Sequence, residues 1–250
     1  MSDTNSFPPP VPPRLPGQPP EIPGLPLGQG PEEQLPVSGI ITAIESILRQ
    51  PRRIFHQLRQ EGQGGLIGRL LLIAIVCSLV YGVVLGTFSR SDQLYIFWTA
   101  PVKVAMGLVI SAMICLPSLY IFSCLSGSQA RLMEVFGLLA GLLALTTILL
   151  IGFAPVAWVF SESTKSLPAI GALHLVFWLI ATYFGLRFLT TGFRHLSASS
   201  GAGLKVWIVI FLLVALQMTT ALRPLVGTSA TFWPEEKKFF VNHWTECLAR

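Results

Sequence analysis

Charge is what this chain has least of. Only 12% of its 250 residues are Asp, Glu, Lys or Arg, about half the share of an ordinary soluble domain. That is too little for a surface facing water on all sides, and it points to lipid as the solvent. Cysteine is sparse too: Cys77, Cys115 and Cys124 fall inside apolar runs, Cys247 lies near the C-terminus, and no CxxC or Cys/His cluster exists. No zinc or redox site is expected from that spacing, only small packing residues. HExxH, Gly-x-Ser-x-Gly, a P-loop and paired aspartates inside apolar runs are all missing, so neither an enzyme nor a cofactor is expected. The glycine-rich stretch Ser200–Lys205 lacks the spacing of a phosphate cradle and reads as a loop. The net charge of +5 does not form a stripe, because the basic residues sit at the edges of apolar runs. Nucleic acid is therefore not an expected partner, and the lipid bilayer is.

Five uncharged or nearly uncharged runs are present: Leu70–Phe88, Val104–Leu125, Val135–Phe160, Ile170–Thr191 and Val206–Leu222. At 1.5 Å of rise per residue, the first covers about 28 Å, close to the hydrocarbon thickness of a bilayer. Arg187 is the one charge inside a run and lies near its end, within snorkelling reach of water. The predicted fold is an all-α, polytopic transmembrane bundle of five spans over residues 66–226. A disordered proline-rich tail (1–37) and a basic amphipathic segment (38–60) precede it, and an aromatic C-terminal tail (227–250) follows. The first long apolar run begins near residue 66, too far in for a secretory signal.

The tail holds 12 of the 19 prolines and cannot bury enough apolar surface to offset its chain entropy. Within it, Pro9-Pro10-Val11-Pro12-Pro13-Arg14 fits PxxPxR, in which Pro9 and Pro12 would stack on aromatics and Arg14 would meet an acid. The tail is thus either a docking element for a protein partner or an extended spacer. In the next segment Ile40, Ile41, Ile44, Ile47, Leu48, Ile54, Phe55 and Leu58 recur at helical spacing, and Arg49, Arg52, Arg53 and Arg59 cluster in its second half. Pro51 either breaks one helix or begins a second. Such a helix lies on anionic lipids at the membrane surface, or packs on the end of the bundle itself.

Inside the spans the signals concern packing. Gly82/Gly86 and Gly137/Gly141 are GxxxG pairs that let helices approach closely, within one chain or between copies, so the oligomeric state stays open. Pro117 and Pro155 are candidate kinks that could widen a groove. His174 is the sole usual titratable side chain in the central parts of the spans, and a hydrogen-bonded packing role is the expectation for it. Gln217, Thr146 and Thr147 read as interhelical hydrogen-bond partners. Ion-coupled transport is not expected from so few polar groups; uncoupled passage of an apolar or lipid-like molecule stays open. In the last stretch Pro234 opens a helix with Phe240, Trp244 and Leu248 on one face, suited to a membrane–water interface.

With the N-terminus in the cytoplasm, Arg49, Arg52, Arg53, Arg59, Arg69, Arg131, Arg187, Arg194 and Lys205 fall inside. Arg90, Lys103, Lys165 and Arg223 fall outside beside the spans, nine against four. The expectation is N-in, C-out. The stretches "TTALRPLVG" (Thr219–Gly227) with "FFVNHW", and "APVKVAMGLVISAMICLPSLYIFSCLSG" (Ala100–Gly127), resemble an uncharacterised group of bacterial polytopic membrane proteins. That resemblance implies five spans in a bacterial inner membrane and no known activity. "ILRQPRRIFHQL" (Ile47–Leu58) is more loosely similar to the opening segment of bacterial Yip1-type proteins. The functional expectation is a non-enzymatic membrane protein that recruits or organises partners through its tail and basic helix. The alternative is a permease- or channel-like subunit for an uncharged or lipidic solute.

Overall fold

A computed structural model describes residues 27–28, 30–60, 62–88, 94–125, 130–163, 167–196 and 202–222. The proposed docking residues Pro9, Pro12 and Arg14, and the aromatic tail from 227 onward, lie outside the described residues. What is described contains seven helices: α1 (Ile40–Arg49), α2 (Pro51–Arg59), α3 (Gly64–Phe88), α4 (Leu94–Leu125), α5 (Leu132–Ser163), α6 (Leu167–Leu196) and α7 (Ala202–Leu222).

Four of these, α3 to α6, are long and apolar enough to cross a membrane, while α7 is a shorter apolar helix. Each contains one of the apolar runs and extends beyond it. Hydropathy ends a run at the first charge, but a helix continues as long as its backbone bonds do. The opening turn of α5 shows this: Glu134 accepts a hydrogen bond from the Arg131 amide at 3.0 Å, while the Glu134 amide donates to the Arg131 carbonyl at 2.9 Å. That reciprocal pair satisfies donors the helix start would leave open, and starts α5 ahead of the apolar run. Likewise Ala202–Lys205, read as part of a loop, is the first turn of α7.

The helices pack in the order α6, α5, α3, α4, α7. α5 is the core of this row: 72% of its span is buried, against 28–39% for the other three long helices. Small residues set the spacing. A Cβ on Gly82 would strike the Pro101 backbone of α4, one on Gly137 would strike the Leu58 side chain, and one on Gly141 would come within 2.5 Å of the Phe188 ring. Gly86 is buried on the same helix as Gly82. The GxxxG glycines that meet a neighbour thus meet α2, α4 or α6 of the same chain. α7 is fastened to α4 by Trp207, fully buried, whose Nε1 donates to the Cys115 carbonyl at 3.0 Å. The outside of the bundle carries many large apolar side chains: Met113, Ile114, Ile121, Val159, Phe160, Leu179 and Leu213 are all exposed. Exposed side chains of this kind, on four helices long and apolar enough to cross a bilayer, mark an integral, multi-pass membrane protein.

Proline 51 starts a helix rather than kinking one. It occupies the first turn of α2, where its missing N–H leaves no bond unmade, after a non-helical Gln50. The α1–α2 hairpin then packs on the bundle: Ile54, Phe55 and Leu58 are fully buried, and the Phe55 ring lies 4.8 Å from Phe188 between centroids. Of the two sequence readings for this segment, the described structure places its apolar face against α5 and α6. Ile41 and Leu48 on α1 remain exposed.

The four arginines assigned to the membrane surface do not behave alike. Arg52 pairs with Glu33 at 2.7 Å, and Arg53 donates to the carbonyls of Leu35 and Pro36 at 2.8 and 3.0 Å. Arg69 donates to the Val37 carbonyl at 2.5 Å. These bonds hold a strap formed by the described residues of 27–37, with Val37 buried beneath it. The tail boundary drawn at 37 therefore falls at the end of a folded turn, to which Arg52 and Arg53 are bonded. Arg49, in an exposed pair with Glu45, and Arg59 stay on the surface. Their contribution to stability is small, as for any exposed pair.

One expectation follows for the strap. Glu33 also accepts from the Gly28 amide at 2.6 Å, so a single carboxylate ties the start of the turn to Arg52 of α2. Hydrogen bonds to charged, half-buried groups are worth about 1.5–3 kcal/mol. Arg52→Met should raise hydrogen exchange over residues 30–37 by an order of magnitude or more and leave α3 to α6 unchanged. Unaltered exchange in that segment would mean the strap is held by something other than this pair.

Candidate functional site

The close approach of α3 and α4 at Gly82 and Pro101 sets side chains one and two residues away, Tyr81 and Lys103, at matching depth. Both line a cavity of about 80 Å3 whose wall is contributed by α3, α4, α5, α6 and α7. The row of helices therefore curls around it. The cavity lies in the half of the bundle away from the α1–α2 hairpin, which plugs the other end where α5 begins and α6 finishes.

Most of the wall is apolar, including Leu85, Leu142, Leu150 and Phe211, but polar groups from four helices converge within it. α3 provides Ser78 and Tyr81, α4 Lys103 and Ser111, α5 Thr146 and Thr147, and α6 His174 and Thr182. All are buried. Tyr81 and His174 are hydrogen-bonded at 2.8 Å between the phenol oxygen and Nδ1, joining α3 to α6 across the cavity wall, with the rings edge to face. Ser78, Ser111 and Thr147 donate instead to carbonyls of their own helices, those of Ile75, Gly107 and Leu143, at 2.6–2.9 Å. Their protons are committed, so they can offer a ligand only lone pairs. Thr146 differs: its Oγ1 is buried beside Gly185 and has no hydrogen-bond partner among the described residues. A buried hydroxyl left without a partner costs about 1–3 kcal/mol, so a water or ligand in the cavity would be stabilised by bonding to it.

Several expectations change here. Lys103 was counted among charges flanking the spans on the outer side; it is instead 8% exposed, inside the membrane-crossing part of α4. Aromatic and apolar residues precede it, "LYIFWTAPV", and carry the helix outward past it. That continuation was the available signal. His174 is hydrogen-bonded as expected, though its partner Tyr81 is 93 positions away and could not be read from the sequence. Thr147 bonds its own helix rather than a neighbour, and Gln217 lies half-buried on α7. Pro117 and Pro155 sit on the exposed sides of continuous helices, and neither lines the cavity. The cavity described above lies instead at Lys103 and His174. Among the described residues no His, Cys, Asp and Glu side chains gather to hold a metal.

The class this defines is a multi-pass helical membrane protein with a mainly apolar cavity between its helices, into which polar side chains converge. No family model, curated protein or solved structure matches the chain, so the family resemblances rest on the residues that carry them.

Proposed function

We propose that this protein holds a small solute in the cavity between its spans, as a non-enzymatic, permease- or channel-like membrane protein. The observation behind this reading is the convergence of eight polar side chains on one void, whereas among the described residues only Ser46 and Ser123 are polar and buried elsewhere. In lipid, polar groups kept inside a span mark a binding site or a path. On this reading α7 is the fifth span, the N-terminus is cytoplasmic, and the α1–α2 hairpin closes the inner end. The cavity then faces the outer side.

The test is accessibility. In a background lacking the native cysteines, Ser111→Cys and Thr182→Cys should react with a small water-soluble thiol reagent, because the reactive thiolate needs water. Met113→Cys, on the lipid side of α4, should not. Cavity positions as inert as Met113→Cys would defeat the solute reading.

Recruitment of a protein partner is the second reading, supported by the PxxPxR run from Pro9 to Arg14. With Arg52 and Arg53 committed to the strap, its working surface reduces to residues 1–26, Arg49 and Arg59. Any truncation that tests it should stop at residue 26.

A further inference from the structure

We propose that the outer side of α1 anchors this end of the bundle to an anionic leaflet. Ile40, Ile41, Ile44 and Leu48 enter its acyl boundary, and the basic side chains around them meet its head groups. This concerns a different surface from the cavity and does not rest on the solute reading. Three observations carry it.

The first is the way α1 is divided. Ala43, Ser46 and Ile47 form its buried face, and the rest of its surface is split in two. Ile40, Ile44 and Leu48 follow one another at four-residue spacing with Ile41 beside them, while Glu45 and Arg49 line the neighbouring strip. Ile41 is 82% exposed, and Ile40 and Leu48 are 46% and 49% exposed. A side turned to water alone would be polar throughout. An apolar strip beside a charged one is the pattern of a helix lying along a lipid–water boundary.

The second is depth. Arg69 holds the Val37 carbonyl just ahead of α1, and Leu58 and Phe55 of α2 fill the places at Gly137 and Gly192. Arg69, Gly137 and Gly192 all lie inside the membrane-crossing parts of α3, α5 and α6, near their ends. α1 packs on α2, α3 and α5, so it runs beside the spans where they enter the bilayer. The third is charge. Arg49, Arg59, Arg131, Arg194 and Lys205 are exposed at this same end, where α5 and α7 begin and α6 finishes. The exposed acids there, among the described residues, are Glu32 and Glu45, and Glu45 is paired with Arg49. A basic excess of this size beside membrane spans attracts anionic lipid. Four aliphatic side chains next to charges also fall well short of the roughly 800 Å2 per partner of a stable protein interface, which favours lipid over a second copy.

The experiment uses the full chain, its four native cysteines replaced, in vesicles of phosphatidylcholine and phosphatidylglycerol. Ile41→Cys and Glu45→Cys, both at exposed positions that tolerate change, each receive an environment-sensitive fluorophore. The probe at Ile41 should be blue-shifted, shielded from aqueous iodide, and quenched several-fold more than the probe at Glu45 by a nitroxide high in the acyl chain. The same nitroxide carried on phosphatidylglycerol should quench it more strongly than when carried on phosphatidylcholine. High salt should remove that difference, and Arg49→Gln combined with Arg59→Gln should shrink it. Equal access of iodide to both probes overturns the proposal, as does equal quenching by the two lipids or a lipid preference that neither salt nor the arginine changes alter. Shielding of Ile41 that is lost when residues 1–26 are removed would assign the strip to the N-terminal tail. Shielding lost on diluting the protein in lipid would assign it to a second copy. Either result would also overturn the proposal.

Discussion

Gly82→Ala should abolish recovery of folded protein, or lower its Tm further than any other single methyl added to the chain. The added Cβ would land on the Pro101 backbone of α4, and a backbone cannot turn aside as a side chain can. Overpacking of a core usually costs about 1–3 kcal/mol and more where nothing can yield. Here α3 and α4 would have to separate, which would disturb the relative depth of Tyr81 and Lys103 as well. The matched control is Gly152→Ala on α5, where nothing lies within 4 Å of the new methyl. Better helix propensity makes that change neutral or mildly stabilising. Thermal unfolding of the two variants side by side is the measurement. Equal behaviour would show that α3 and α4 do not meet at this point.

Phe55→Ala should be the most damaging truncation at the hairpin end of the bundle. Phe55 is fully buried, touches Phe188 and His195 with ring centroids 4.8 and 5.8 Å apart, and fills the space left by Gly192. Deleting a buried phenylalanine side chain costs about 3–5 kcal/mol, which corresponds to a fall in Tm of roughly 10 °C for a domain of this size. The hairpin should detach from α5 and α6, and the strap above it should become sensitive to protease. Ile41→Ala, one helix away and 82% exposed, should change neither readout by much. A small effect at Phe55 would mean that the hairpin rests on the membrane rather than on the bundle, which is the other sequence reading of this segment.

These two positions also separate what was legible in advance from what was not. Gly82 was recognised as a packing residue from its GxxxG spacing, because small residues four apart share one helix face. Its partner was not, since Pro101 lies on another helix whose rotation is fixed only by packing. The amphipathic spacing of Ile54, Phe55 and Leu58 announced a buried face, and the same periodicity serves a lipid surface and a protein surface equally well. Arg52 and Arg53 read as free surface charge because nothing local marks Glu33, Leu35 and Pro36 as their partners.

By itself the sequence determined the class: apolar runs too long and too poor in charge for water, hence helices in a membrane, with basic residues at their margins. That follows from composition and period along one dimension, and solvent chemistry alone decides it. The tertiary structure alone decided the site. Lys103, Tyr81, His174 and Thr146 come from four helices and share no motif or spacing. They meet because of the rotation of each helix about its axis and the depth at which glycines let it dock, and neither quantity is written in any single segment.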